Sequence, residues 1–306
     1  MNQRWSILKW WGLVIVFCCS YIFAEVVCGI CGSEEPKNSK VIDNFLNAQI
    51  AYDLGLSHFT GSGVPQDYSE ALRLFHKAAE LGNIDATYTL GIMYDKGLGV
   101  PVNYQEALKW YDKAAYWGNV RAMFDVGHMY YKGKGVPVNY PLALEWYKKA
   151  AEKGHEIAQS NLGVMYRGGQ GVPVNNIEAL QWFLKAAEQG NKIAQYNAGT
   201  MYDFGEGGPV NYQEAKKWYL EAAMQGFPYA QFNLGLIYGV GKGVPLNYQK
   251  AYIWMSLAAA QGHQQATENM GILTNMMPPE QIAEAQKEAA VLWEKIQKRN
   301  EQKQDQ

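Results

Sequence analysis

Apolar residues recur at helical spacing along most of the chain. In one representative stretch Ala86, Leu90 and Tyr94 follow one another every four residues, which places them on one face of a helix over about Asp85 to Lys96. The segment Gly97 to Pro101 comes next, and its glycines and proline cannot continue a helix. The pattern therefore predicts a helix, which we call helix A, followed by a tight turn.

A second helix, helix B, is predicted directly after this turn. Asn103 is a good N-cap residue, and Glu106 stands three residues later, as in a capping box. Gly118 ends the helix, because glycine adopts the left-handed conformation at little cost. The apolar positions of helix B are Ala107, Trp110, Tyr111 and Ala114.

This two-helix pattern repeats every 36 residues without a gap. A proline column reads Pro65, Pro101, Pro137, Pro173, Pro209 and Pro245. A glycine column inside helix A reads Gly55, Gly91, Gly127, Gly163, Gly199, Gly235 and Gly271. Glycine destabilises a helix by about 1 kcal/mol relative to alanine, so its recurrence predicts close approach of a neighbouring helix.

The repeat predicts an all-α fold, an α/α superhelix (solenoid) of antiparallel helix pairs, because one unit cannot bury its apolar face but stacked units can. The predicted solenoid covers 45–277. Its units are about 48–83, 84–119, 120–155, 156–191, 192–227 and 228–263, with a partial unit at 264–277. The tryptophan of helix B recurs in most units and is predicted to belong to the core.

An apolar stripe at helical spacing follows Pro278 and Pro279. Its residues are Ile282, Ala285, Ala289, Leu292, Trp293 and Ile296. We expect a C-terminal helix over 278–299 that covers the open end of the stack. Residues 300–306 are polar and are predicted to form a disordered tail.

The N-terminal residues have a different character. A basic start, a short apolar stretch and a small residue at Ala24 predict a signal peptide at 1–24. This implies a periplasmic or secreted protein; the alternative is an uncleaved segment that anchors the chain in a membrane.

A linker is predicted at 25–44, where Cys28 and Cys31 could form a small disulfide or remain as thiols. A redox or zinc role lacks the expected neighbouring elements.

Composition and motifs argue against several functions. Lys and Arg number 27 against 29 Asp and Glu, and without a basic run the chain has no footprint for nucleic-acid binding. The five histidines form no HExxH motif and no cluster with cysteine. The glycine-rich turns lack the spacing of a phosphate-binding loop. We therefore predict no catalytic residues, no metal site, no cofactor and no enzymatic activity.

The unit resembles the Sel-1-like repeat, a relative of the tetratricopeptide repeat with a longer turn. The residues that carry the likeness in the second unit are Ala86, Leu90, Gly91, Tyr94, Gly97, Gly99, Val100, Asn103, Ala107, Trp110, Ala114, Ala115 and Gly118. The resemblance implies a non-enzymatic scaffold or adaptor of the cell envelope or secreted fraction that binds protein partners, for example in host-cell contact. An alternative is an envelope assembly factor. Another is the cysteine-rich branch that binds or hydrolyses β-lactams, but its cysteines are missing from every unit here.

Tetratricopeptide-like folds imply that helix A lines a concave groove able to take a peptide or a helix. Two interpretations of an aromatic column on helix A stay open, since it can line the groove or pack between units. The predicted groove residues are Tyr52, Tyr88, Phe124, Tyr196 and Phe232, with Ile92, His128 and Leu236 one turn further on, and Tyr131 and Arg167 in the next column.

Overall fold

The computed structural model describes residues 38–304, which form 14 α-helices and no β-strand. In the order A then B, the six units contain α1 (Asn38–Thr60) and α2 (Tyr68–Glu80), α3 (Ile84–Lys96) and α4 (Tyr104–Tyr116), α5 (Val120–Lys132) and α6 (Tyr140–Glu152), α7 (Glu156–Gly168) and α8 (Asn176–Glu188), α9 (Lys192–Phe204) and α10 (Tyr212–Ala223), α11 (Pro228–Val240) and α12 (Tyr248–Ala260). The chain continues with α13 (Gln264–Met276) and α14 (Pro279–Gln304).

Each helix A packs on helix B of its own unit, and each helix B packs on helix A of the next unit. The core therefore runs through the whole row of units and is made of residues that recur at the same position. This confirms the all-α solenoid predicted from the 36-residue repeat.

The glycine column allows the two helices of a unit to approach closely. A Cβ atom added at Gly163 would lie 2.6 Å from the ring of Phe183 in helix B, and one added at Gly199 would lie 2.7 Å from the ring of Tyr219. The predicted close approach is confirmed. At Gly271 no atom lies within 4 Å of such a Cβ, because α13 has no described helix B opposite that face.

The helix starts follow the predicted capping chemistry. The Asn103 side chain accepts a hydrogen bond from the backbone N–H of Glu106 at 3.0 Å, which satisfies one of the free donors at the helix start. His155 and His263 take the same role at the starts of α7 and α13, where their Nδ1 atoms accept from Ala158 and Ala266. These two histidines are therefore structural.

Glutamines link successive units in the second half of the solenoid, and we call this chain of contacts the glutamine ladder. Gln159 in α7 donates to the backbone oxygen of Ala151 in α6 at 3.0 Å and accepts from Gln189, which follows α8, at 2.6 Å. The same pattern recurs one and two units later. Its members there are Gln195 with Gln225 and Gln231 with Gln261.

The tryptophans of helix B are core residues to different degrees. Trp182, Trp218 and Trp254 are buried, whereas Trp110 and Trp146 are half-buried. The outer ring faces of four of them carry a lysine ammonium, at 4.0 Å over Trp182 and up to 5.1 Å over Trp110. The aromatic richness of the chain is thus mainly repeated packing.

The C-terminal helix differs from the prediction in position and length. α14 packs on α12, and Arg299 and Asn300 contact Glu221 and the backbone of Gln225 near α10. It covers the helix B side of the last units and leaves the Gly271 face of α13 open, so it covers one side of the last units rather than the whole end of the stack. Its helix continues to Gln304, which corrects the boundary at 299 and the predicted disorder of 300–304; residues 305–306 lie outside the described part of the chain.

The N-terminal boundary also moves. α1 begins at Asn38, so the last residues of the predicted linker at 25–44 are helical. The predicted signal peptide at 1–24 and the pair Cys28 and Cys31 lie outside the described residues. Among residues 38–304, no helix combines the length and apolar character that a membrane span requires.

Candidate functional site

The outward side of the A helices forms one continuous row of side chains, which we call the A stripe. In each unit it consists of the residues equivalent to 85, 89, 92 and 96, which stand at helical spacing on one side of helix A. Most of them are exposed or half-buried, and Thr200 is buried. Because each unit repeats the last, these positions line up into an extended surface.

In the fourth to sixth units the A stripe carries no charged residue at any of its positions between 157 and 240. Its residues there are Ile157, Asn161, Val164, Gly168, Ile193, Asn197, Thr200, Phe204, Tyr229, Asn233, Leu236 and Val240. Ile157, Ile193 and Tyr229 have exposed fractions of 45%, 50% and 54%. Large exposed apolar side chains in a contiguous row mark interaction surfaces.

A column of half-buried amides runs through this uncharged part, at Asn161, Asn197 and Asn233. Each carboxamide carries both a donor and an acceptor, the same pair of groups that a peptide unit presents. The Asn161 amide lies beside the hydroxyl of Tyr147 from the preceding helix B, which helps to hold its position.

The A stripe of the second and third units is charged instead. Its ionisable residues are Asp85, Lys96, Arg121, Asp125, His128 and Lys132. Asp125 stands in the column that holds asparagine in the later units. Burial raises the pKa of Asp125 to about 6, the Asp95 carboxylate adds to the rise, and a hydrogen bond from Tyr88 opposes it.

The predicted aromatic column lies next to the A stripe, at the boundary between units. Its rings are half-buried, and four of the five lie against an aromatic ring in helix B of their own unit. The ring centroid of Phe124, for example, lies 5.6 Å from that of Tyr147 and 4.6 Å from that of His155, the N-cap residue of α7, on which Phe124 stacks. Phe232 stacks on His263 at 4.5 Å. Tyr52, Tyr88 and Tyr196 make similar contacts with Phe75, Tyr111 and Tyr219.

The remaining predicted residues fall into two groups. Ile92, His128 and Leu236 belong to the A stripe itself, whereas Tyr131 and Arg167 pair with the next unit. Tyr131 donates to Gln170 at 3.0 Å, and Arg167 forms a two-bond ion pair with Glu206 at 2.7 and 3.0 Å. Equivalent ion pairs join Lys134 to Asp95 and Lys242 to Asp203.

His128 lines a cavity of about 260 Å³ together with Tyr131, Lys132 and Val164. Its Nδ1 atom lies 3.4 Å from the hydroxyl of Tyr147, and burial lowers its pKa. Within residues 38–304, no three His, Cys, Asp or Glu side chains are close enough to share a metal ion.

Sequence reasoning missed the asparagine column and the exposed residues Ile157, Ile193 and Tyr229. A signal for both was present, because the columns of the 36-residue repeat contain them. The repeat alone does not show which of two neighbouring columns faces solvent, since residues one position apart on a helix point about 100° away from each other.

Comparisons with known proteins agree with this architecture. The family model described as Sel1 repeat matches residues 49–83, 84–119, 120–155, 157–191, 192–227 and 228–263. A search of curated proteins gives no significant match.

Two solved structures resemble the chain closely. The protective antigen c5321 of uropathogenic Escherichia coli, which displays an SLR fold, is 34% identical with a TM-score of 0.74 over 79% of this chain and 53% of its own. The chain thus spans about half the length of c5321. A Sel1 repeat protein from Oxalobacter formigenes is 34% identical with a TM-score of 0.60 over 69% of this chain and 84% of its own. The chain therefore belongs to the Sel1 repeat family, whose solenoids generally serve as scaffolds for protein–protein interaction and bind protein partners.

Proposed function

We propose that this protein is a non-enzymatic scaffold of the cell envelope or secreted fraction that binds an extended peptide segment of its partner along the A stripe of the fourth to sixth units. The observation that carries the proposal concerns the A stripe between 157 and 240. Its positions there combine exposed apolar side chains with amides, and none of them is charged. The envelope location follows from the N-terminal signal predicted from the sequence.

The amides distinguish an extended peptide from a helix. The backbone donors and acceptors of a helix are already used within the helix, whereas those of an extended segment are free. Asn161, Asn197 and Asn233 each offer one donor and one acceptor, so they fit the free backbone groups of an extended segment. The apolar residues on both sides would then take its side chains.

The absence of charge in this part of the stripe also sets the composition of the segment. Moving a charged side chain onto an uncharged, partly apolar surface removes water without giving it a partner. We therefore expect the bound segment to be rich in apolar residues, with charged residues only where it extends toward the second and third units.

Selection of random peptides on the purified full chain tests the proposal. We expect enrichment of uncharged, apolar peptides, and we expect the triple variant Asn161→Ala, Asn197→Ala, Asn233→Ala to bind them at least tenfold more weakly. The matched control is Lys148→Ala with Gln181→Ala, two exposed side chains on the B helices, which should bind normally. Equal affinity of the triple variant and wild type would show that the amides play no part.

A further inference from the structure

A lysine-rimmed groove lies on the other side of the molecule, between α12 and α14. It encloses a cavity of about 530 Å³, within the range of about 300–1,000 Å³ that is typical of ligand sites. Its floor is apolar and includes Ile253, Trp254 and Leu292, with Val291 at the edge. The groove is remote from the A stripe, so it would serve a different ligand.

The groove exists because α14 contacts α12 along one face and presents a neighbouring face to solvent. Ala285, Ala289 and Ile296 form the buried face of α14. Lys287, Val291 and Lys295 stand one turn apart on the adjacent face, which lines the groove.

The sixth unit also lacks a feature that covers the tryptophan in earlier units. Lys113, Lys149 and Lys185 each lie over the tryptophan of their own helix B. Leu257 occupies the equivalent position in α12, and Trp254 instead forms part of the apolar floor of the groove. The lysines of this region are found at the rim.

Three ammonium groups, those of Lys250, Lys287 and Lys295, line the groove against a single carboxylate, that of Glu288. Within residues 38–304 none of the three lysines has a carboxylate within ion-pair distance. The Glu288 carboxylate accepts a hydrogen bond from Gln249 at 2.9 Å. The Lys250 ammonium lies 5.4 Å from the centroid of the Tyr238 ring.

We propose that this groove binds a single-chain anionic amphiphile, a long-chain carboxylate, with its chain on the Trp254 and Leu292 floor and its head group between the rim lysines. The apolar floor removes the methylene groups of the chain from water, which favours binding. The excess of ammonium groups selects an anionic head over a neutral or cationic one.

A fluorescent probe tests the proposal on the full chain. 11-(Dansylamino)undecanoic acid should bind saturably, and hexadecanoate should displace it below its micellar concentration. Hexadecanol and hexadecyltrimethylammonium should compete at least tenfold less well, because they lack the anionic head. Equal competition by all three would overturn the proposal, as would the absence of saturable binding.

Two variants separate the groove from non-specific binding. Lys250→Met, Lys287→Met, Lys295→Met should weaken hexadecanoate at least tenfold, while Lys148→Met, Lys153→Met, Lys192→Met, three exposed lysines elsewhere, should not. Val291→Trp should block the groove with a normal helical spectrum, because Val291 is exposed. If an acidic amphipathic helical peptide displaces the probe and hexadecanoate does not, the groove takes a protein segment and the proposal is wrong.

Discussion

The hydroxyl of Tyr88 donates a hydrogen bond to Oδ2 of Asp125 at 2.9 Å, across the boundary between the second and third units. The carboxylate that accepts it is largely withdrawn from water, which raises the pKa of Asp125 to about 6. In the next three units the same column holds asparagine, which keeps an acceptor without a charge.

Replacing Asp125 with Asn should stabilise the protein at neutral pH by about 1–3 kcal/mol. The raised pKa means that the folded state holds a proton that the unfolded state has lost between about pH 4 and pH 6. Wild-type stability therefore falls as pH rises through this window and is level above it, whereas the variant lacks this slope. Denaturant unfolding at several pH values measures the free energy of unfolding of wild type and variant. Asp53→Asn, at an exposed position of the same column, should show no such gain.

Gly163→Ala should destabilise the fourth unit by about 1–3 kcal/mol, because the new methyl group would overlap the ring of Phe183. Gly271→Ala is the matched control in the same column. No atom lies within 4 Å of its Cβ position, so the gain in helix propensity of about 1 kcal/mol should dominate. Thermal unfolding of both variants checks the pair, and destabilisation of equal size would contradict the packing argument.

The ion pair between Arg167 and Glu206 should contribute about 0.5–1 kcal/mol to the coupling of the fourth and fifth units. The pair is partly exposed, which limits its energy, but its two parallel bonds fix its geometry. A double-mutant cycle with Arg167→Ala and Glu206→Ala measures the coupling. The coupling should decrease in 1 M salt, since partly exposed charges are screened, and a salt-independent value would contradict this account.

Ile296→Ala should lower the free energy of unfolding of the C-terminal region by about 2–4 kcal/mol, because the side chain is fully buried where α14 lies against the last units. Val291→Ala, on the exposed face of the same helix, should change it by less than about 0.5 kcal/mol. Chemical unfolding followed by tryptophan fluorescence checks both. If the two variants behave alike, α14 is only loosely attached.

The repeated part of the fold could be predicted because every unit supplies the same evidence. Gly163 inside a helix is uninformative by itself, but its recurrence at the same position in each unit indicated close packing, and the ring of Phe183 explains it. The predicted N-cap position also recurs from unit to unit, and the hydrogen bond from Glu106 to Asn103 confirms the N-cap role of Asn103.

The location of α14 could not be predicted in this way, because it occurs once. Its apolar stripe showed that one face would be buried, but Ala285 and Ile296 carry no information about which neighbour buries them. On the A helices, the columns of Phe124 and Asp125 are adjacent in sequence. Their surroundings depend on how neighbouring units stack, which a single helix pattern does not contain.

The glutamine ladder has a mechanical consequence. Gln159, Gln195 and Gln231 each bind the preceding helix B and the end of their own unit, whereas Thr87 and Met123 occupy this position in the second and third units. In the second half of the solenoid, one unit can slide or twist against the next only if these buried hydrogen bonds break. The described part of the first half has no such glutamine bonds between its units. Pulled from its two ends in optical tweezers, the solenoid should yield from its N-terminal units first, at lower force, while the half that carries the uncharged stripe keeps its shape.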